Sequence, residues 1–317
     1  MIRSALFGLA LLATPAVADV SDRVGAAFRD WVSAVDVSQG ALTLWRGNRL
    51  VQDVAIGIDP NAARPLASLS KAVTGVCVAT MVKSGLWSLS TTSAQVLGYG
   101  AEGITISALL THSSGLGPDS TQGLGLLGLF KRDSADASLS ARALGRTLQT
   151  DMQGAYQYNN ENYAVLGAMI TARTGENYDT YCRRAVLDPA GVTTAKAYPP
   201  LRGLLSFGGW EMSVQDYARF MNWAYGPDGI IGGDIAAWPA ADLGGGAYYG
   251  VGMIQRAFRG SHNFWHFGLL CFPGRANAGS YTVSWMQDWR AVVAFERCLD
   301  WDQLSALDAA LSGAVFD

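Results

Sequence analysis

The sequence predicts an α/β fold of the α+β kind, with an antiparallel sheet drawn from both ends of the chain and a mostly helical section inserted between them. Three observations predict it. Strand-like patterns cluster near the N-terminus (residues 42–56) and again towards the C-terminus (247–298). Helical patterns and Gly-rich loops fill roughly 67–204. Amphipathic stretches, suited to helices lying on a sheet, occupy both ends of the chain.

In chain order, Met1-Ile2-Arg3 leads into an apolar run from Ala5 to Leu12 and then Ala16-Val17-Ala18. This reads as a secretory leader of residues 1–18 with an A-x-A cleavage site. The apolar run is too short to span a bilayer, and no cysteine follows Ala18 to carry a lipid. The expected product is exported, periplasmic or secreted, without stable membrane insertion once the leader is removed. Residues 19–317 then form one catalytic domain of two lobes around a cleft. Its α/β lobe comes from about 19–66 and 205–317, and its α lobe from about 67–204.

After Ser21, an expected N-cap, Val24, Phe28, Trp31, Val32 and Val35 fall on one helical stripe. Leu42, Leu44, Val51, Val54 and Ile56 alternate about Arg46-Gly47-Asn48-Arg49, as in a β-hairpin. An apolar helix is expected over 69–85, ending near Gly85. Ser213-Val214-Gln215-Asp216 resembles a capping box opening a helix through Trp223. Strands are expected over 247–256, 263–272, 280–287 and 290–298, followed by a helix burying Leu304, Leu307 and Leu311.

The chain carries 23 basic and 26 acidic side chains, a net charge of −3. With no basic run, nucleic acid and anionic membrane are excluded as partners. The 50% hydrophobic and 15% charged content belongs to a well-packed globular protein. Cys77, Cys182, Cys271 and Cys298 allow three disulfide pairings, and spacing does not choose among them. No C-x-x-C or C-x-x-H spacing occurs, and His112, His262 and His266 are the chain's three histidines. No metal site and no cofactor are expected.

The chemistry lies in Pro65-Leu66-Ala67-Ser68-Leu69-Ser70-Lys71, where S-x-x-K places a lysine one helical turn after a serine. Lys71 can then reach the Ser68 hydroxyl. A helix beginning near Ser68 also points its free N–H groups at a developing oxyanion. Two companions follow: Tyr158-Asn159-Asn160, the one Y-x-N in the chain, and His266-Phe267-Gly268, its one H-x-G. Competing motifs fail on context. Ser261-His262-Asn263 lies beside the third motif rather than in the place of the second. Gly123-Leu124-Gly125-Leu126-Leu127-Gly128 has no preceding strand, and no serine has glycine two positions before it.

With these motifs the chain resembles the penicillin-recognising serine hydrolases: class C β-lactamases, D-Ala-D-Ala peptidases and family VIII esterases. The resemblance extends to Leu109-Leu110-Thr111-His112-Ser113-Ser114-Gly115-Leu116 and to Gly208-Gly209 followed by Ser213, Asp216 and Phe220. It implies a β-lactamase/transpeptidase-like fold with Ser68 as the acylated nucleophile, its proton shared by Lys71 and Tyr158. Tyr158 would serve as a base beside the positive charge of Lys71. Asn160 would orient the lysine or the substrate amide, and the backbone N–H groups of Ser68 and Leu269 would form the oxyanion hole. His266 and Gly268 would line the substrate site.

Many members of that family carry Lys-Thr-Gly or Lys-Ser-Gly where this chain has His266-Phe267-Gly268. The missing cation and hydroxyl disfavour an anionic β-lactam or peptidoglycan substrate, unless Arg256, Arg259 or Arg275 takes over. The reading that follows is an esterase-like hydrolase acting on a small-molecule ester, amide or peptide. A D-alanyl-D-alanine carboxypeptidase or β-lactamase is the alternative, and a catalytically silent penicillin-binding-type protein is the rival from another class. Glycines at 117, 123, 125 and 128, with leucines between, further suggest an apolar lid over 117–130.

Overall fold

The computed structural model describes residues 15–122, 135–272, 274 and 276–316. The glycine motif at 123–128, most of the expected lid, Arg275 and the apolar part of the leader lie outside the described residues.

The chain divides into two compact units, one of residues 1–36 with 300–317 and one of residues 37–299. In the first, helix α1 (Pro15–Ala34) begins well before Ser21, so that serine lies inside the helix and does not cap it. The helix continues back because Ala16, Val17 and Ala18 offer no stop signal. Its partner is the C-terminal helix over Trp301–Phe316, which buries Leu304, Leu307 and Leu311 as expected. Arg23 Nε donates to Ala314 O at 3.0 Å and Trp31 Nε1 to Gln303 O at 2.9 Å, which makes the pair antiparallel.

The second unit holds the sheet and the helical section together. Strands β1 (Gly40–Arg46) and β2 (Arg49–Ile56) form the expected hairpin, turning at Gly47 with φ +54°. β3 (Arg64–Pro65) leads into a 3₁₀ turn over Ala67–Leu69 and helix α2 (Ser70–Lys83). Helices α3 (Ser93–Leu97), α4 (Ile106–Leu110), α5 (Asp136–Leu144), α6 (Asn160–Thr174) and α7 (Tyr178–Cys182) follow. β4 (Lys196–Ala197) and β5 (Trp210–Met212) join β3 in a small sheet of order β3-β5-β4.

Helix α8 (Val214–Tyr225) is capped by Ser213, whose hydroxyl accepts from Asp216 N at 3.1 Å. The reciprocal half of a capping box is absent. The Asp216 carboxylate instead receives the backbone N–H groups of Thr193 and Thr194, at 2.8 and 2.7 Å, together with Arg219. The chain then lays down β6 (Ala241–Gly244), β7 (Ala247–Gly250), β8 (Met253–Phe258), β9 (Ser261–Phe272), β10 (Ala276–Trp285) and β11 (Trp289–Phe295) before the C-terminal helix α9. With β1 and β2 they make an antiparallel sheet of order β2-β1-β11-β10-β9-β8-β7-β6. The strand expected over 247–256 is two strands, since Val251 and Gly252, at φ +51° and +84°, reverse the chain between them.

Two features of this unit place the site. α2 is buried on nearly every face, from Ser70 through Ala79 and again at Met81, because its residues are apolar all round. β9 pairs with β8 only over Ser261–Trp265, whereas its pairing with β10 runs from Phe264 to Phe272. The described disulfides are Cys77–Cys182, tying α2 to α7, and Cys271–Cys298.

Candidate active site

The 3₁₀ turn that carries Ser68 is held from three directions. Leu66 N donates to Trp210 O at 2.8 Å, Ser280 Oγ donates to Leu66 O at 2.6 Å, and the Tyr217 hydroxyl donates to Leu69 O at 3.0 Å. Ala67, just before the serine, sits at φ +47°, a left-handed conformation that costs a non-glycine residue roughly 1–3 kcal/mol. This strain is sustained by the surrounding bonds and leaves Ser68 half-buried between fully buried neighbours. Ser70, the other serine of the motif, is fully buried and accepts from Trp210 N at 3.2 Å, a structural duty.

Gly268 has a steric reason to be glycine. A Cβ there would lie 2.5 Å from Leu66 O and 2.5 Å from Ser280 Oγ, so β9 approaches the Ser68 turn closely because that side chain is missing. His266 and Gly268 lie on one face of β9. Phe267, on the other, stacks on its cross-strand partner Tyr281 at 4.7 Å between ring centroids. The residue that stands in place of the family's hydroxyl is therefore a half-buried ring stacked on the other face of β9.

Lys71 and Tyr158 both reach the serine. Lys71 Nζ donates to Ser68 Oγ at 3.1 Å and to Phe207 O at 2.9 Å, and the Tyr158 hydroxyl donates to Ser68 Oγ at 2.8 Å. The Lys71 amine also lies 4.9 Å from the centre of the Tyr158 ring. Burial drives the Lys71 pKa down to about 7, against a smaller opposing pull from Asp119. The same burial raises the Tyr158 phenol well above its ordinary value. Tyr158 is therefore a protonated donor at neutral pH, and Lys71 gives up its proton far more readily than an exposed lysine. Burial thus works against the expectation that Lys71 charge would let Tyr158 act as a base.

His266 is buried, and its pKa is lowered to about 3 by desolvation and by the Lys71 charge. Its Nδ1 donates to Phe267 O at 2.6 Å, which leaves Nε2 to accept from the Tyr249 hydroxyl at 3.3 Å. A neutral imidazole with both nitrogens engaged cannot replace the family's lysine. Arg256 and Arg259 do not replace it in this structure, being stacked on Trp265 and Phe258 at 5.7 and 5.0 Å. Asn160 is not bonded to Lys71; its Nδ2 donates to Thr121 Oγ1 at 2.9 Å and its N–H to Asp119 Oδ2 at 3.0 Å.

The His112 segment, legible only through resemblance, forms a bracket for Tyr158. His112 Nδ1 accepts from Asn159 N at 3.3 Å and pairs with Asn162 Nδ2 at 3.1 Å, and His112 O accepts from Gln157 N at 2.8 Å. Its ring lies 4.5 Å from that of Tyr158. Phe207, whose carbonyl positions Lys71, belongs to a loop that the sequence marked only by Gly208-Gly209. Of these, Gly209 is the one sterically required, since its Cβ would lie 2.3 Å from Leu201 O.

This geometry can be set beside known proteins. The beta-lactamase family model matches residues 27–283. The chain belongs to the beta-lactamase family. Penicillin-binding protein 4* of Bacillus subtilis (strain 168) is 26% identical over 147 residues, a match covering 44% of this chain and 31% of that protein. The chain thus matches less than a third of that relative's length. Among solved structures, a class C beta-lactamase from Rhodobacter sphaeroides superposes with a TM-score of 0.76 at 14% identity, covering 93% of this chain and 100% of that one. The octameric penicillin-binding protein homologue from Pyrococcus abyssi gives 0.75 at 18%, covering 92% and 77%. The D-amino acid amidase from Ochrobactrum anthropi SV3, complexed with L-phenylalanine amide, gives 0.70 at 17%, covering 93% and 99%. These likenesses show a beta-lactamase/transpeptidase-like fold, and the family is one of serine hydrolases.

Proposed function

We propose that this protein is a serine hydrolase that cleaves an ester or amide through an acyl-enzyme on Ser68. The observation that carries this reading is the convergence of Lys71 Nζ and the Tyr158 hydroxyl on Ser68 Oγ, with the lysine tuned by burial to about 7. Neutral Lys71 accepts the Ser68 proton as Oγ attacks the substrate carbonyl. The backbone N–H groups of Ser68 and Leu269 receive the oxyanion; one such donor contributes about 3 kcal/mol to the transition state. Collapse of the tetrahedral adduct expels the alcohol or amine, which takes a proton from Tyr158, and Lys71 returns the proton it collected. Water then releases the acid by the reverse route.

The neutrality of His266 supports an uncharged scissile region over a substrate held by its carboxylate, so the esterase or amidase reading stands ahead of β-lactamase and D-alanyl peptidase. A buried, unpaired substrate carboxylate would cost roughly 1–3 kcal/mol, a tenfold to hundredfold loss in rate. The test compares initial rates on a nitrophenyl acyl-chain series with those on a chromogenic cephalosporin, using Ser68→Ala as the blank. Ester cleavage should exceed cephalosporin turnover. Efficient cephalosporin turnover with negligible ester cleavage would reverse the ordering, and covalent labelling of Ser68 separates an enzyme from a silent binder.

Export is part of the same proposal. It is supported by the leader-like residues 1–18 and by two disulfides, which persist in an oxidising compartment.

A further inference from the structure

The Phe207 carbonyl that meets Lys71 belongs to a loop, residues 203–209, fastened both to the start of α5 and to α2. At α5, Ala135 N donates to Gly203 O at 2.9 Å and Ser206 Oγ donates to Asp136 Oδ1 at 2.6 Å. At α2, Thr74 Oγ1 donates to Ser206 O at 2.6 Å and Lys71 Nζ to Phe207 O at 2.9 Å. Two consecutive carbonyls of the loop thus meet side chains one helical turn apart. Thr74 gives its one proton to Ser206 O, so the Tyr178 hydroxyl, 2.6 Å away, donates to Thr74, and Trp210 Nε1 donates to the Tyr178 hydroxyl at 3.4 Å. This chain of donors ends on the Ser206 carbonyl, and the Ser206 side chain ends on Asp136.

Room is made for that acid. Asp136 is the first residue of α5 and is buried, and α6 passes it at Gly167, where a Cβ would run into Asp136 Oδ2 and the Ser206 side chain. A carboxyl is costly to bury, and this one receives the hydroxyl of the residue next to Phe207. We infer that Asp136 and Ser206 form a positioning pair, which holds the Phe207 carbonyl against Lys71 and so turns the lysine towards Ser68. A neutral amine has two N–H bonds and one lone pair; with an N–H committed to Phe207 O, the lone pair is free to face Ser68 Oγ. Without Asp136 the fully buried Ser206 hydroxyl loses its acceptor, and the loop shifts to find another. The contact needs an acceptor and no charge, so an amide serves in its place. This inference rests on the reading of Lys71 as the acceptor of the Ser68 proton, and Asp136 touches neither the substrate nor the reacting atoms.

The experiment measures kcat and KM for p-nitrophenyl butyrate, with Ser68→Ala as blank and each kcat divided by the folded fraction that a urea curve gives at the assay temperature. Asp136→Ala and Ser206→Ala should each lower kcat by about tenfold to a hundredfold with KM within about twofold, because Lys71 serves both acylation and release by water and the loop does not touch the substrate. Asp136→Asn, which keeps an acceptor for Ser206, should stay within a few-fold of wild type. The double alanine variant should be no slower than the slower single one, since both changes break one hydrogen bond. A pair that serves stability alone would lower the folded fraction and leave kcat per folded molecule unchanged; that result in both single alanine variants would overturn the inference, as would equal losses in Asp136→Asn and Asp136→Ala. Should Asp136→Ala fail to fold, Ser206→Ala, which removes one hydroxyl and keeps the carbonyl for Thr74, decides the matter. A wild type without Ser68-dependent turnover would overturn the nucleophile and the positioning pair together, whereas active wild type with undiminished alanine variants would overturn the pair alone.

Discussion

The carbonyl oxygen of Phe207 accepts a hydrogen bond from Lys71 Nζ at 2.9 Å, so the fully buried lysine is aimed at Ser68 by a backbone group that carries no charge. A carboxylate in that place would hold the amine protonated and useless as a base. The carbonyl steers it and leaves its pKa near 7. Acylation should therefore accelerate as pH rises through about 7, and a pre-steady-state burst followed from about pH 5.5 to 8.5 would show it. A burst rate flat across that range would remove Lys71 as the base.

The same burial makes Lys71 a burden on stability. Its pKa is lower in the folded chain than the unfolded value of 10.5, so the unfolded state binds more protons between about 7 and 10.5 and stability falls as pH drops through that window. Lys71→Met should abolish turnover yet raise the melting temperature by a few degrees at about pH 6, with the advantage shrinking towards pH 10. The gain has an upper limit on the order of 5 kcal/mol, offset by about 1 kcal/mol for the abandoned Phe207 carbonyl. Calorimetry of both proteins checks this, and a lower melting temperature for the variant at pH 6 would contradict it.

Ser68 and Ser70 divide function and structure between them. Ser68→Ala should lose essentially all activity with a melting temperature close to wild type. Ser70→Ala should keep measurable activity and lose about 1–3 kcal/mol, because Trp210 N is left without its acceptor in the core. Activity and chemical denaturation on the two variants would show the exchange, and an inactive, fully stable Ser70→Ala would break the assignment.

Gly268→Ala should be severe although it adds one carbon. With Leu66 O and Ser280 Oγ both 2.5 Å from the new atom, the Ser68 turn must retreat from β9, which would part the proposed oxyanion donors Ser68 N and Leu269 N. A loss of about a hundredfold or more in kcat is expected, with destabilisation of roughly 1–3 kcal/mol. Near-normal kcat would show that the turn and strand need not approach so closely.

Asp136 gives an opposite pH signature. Fully buried beside Ser206 Oγ at 2.6 Å, its carboxyl is pushed up from 3.8 to about 7. The folded state then holds the extra proton, so the stability due to this group is complete below about pH 4 and is lost as pH rises through 7. Asp136→Asn, which keeps an acceptor for Ser206, should be more stable than wild type at about pH 8.5 and nearly equal at pH 4. Urea midpoints at the two pH values decide it; a constant difference would show that Asp136 does not titrate in this range.

The sequence made the large elements and the three motifs legible because both depend on period and spacing. Runs of aromatic and β-branched residues exposed β9, β10 and β11, and the β1–β2 hairpin was marked at Gly47. The small sheet of β3, β4 and β5 has strands of two or three residues, too short to show a period, and β6 is four residues about a Gly-rich turn. Ser68, Lys71, Tyr158, His266 and Gly268 come together as their motifs suggest. Phe207 acts through its carbonyl, which any residue possesses, and His112 through a buried ring, so neither leaves a signature. The protonation states were equally hidden: burial, visible only in the fold, keeps His266 uncharged, lowers the Lys71 pKa and raises that of Tyr158. Spacing could not choose among three cysteine pairings, which depend on α2 and α7 meeting in space.

α2 carries the buried Lys71 into the core, with a disulfide at Cys77 fastening it to α7. Only its last turn, at Thr80, Val82 and Lys83, reaches the surface, so the turns around Lys71 have no solvent-exposed route by which to loosen alone. Heat inactivation and global melting should therefore be a single event in this protein: the hydrolytic centre fails when the core opens and not before, so loss of turnover serves as a direct gauge of the folded fraction.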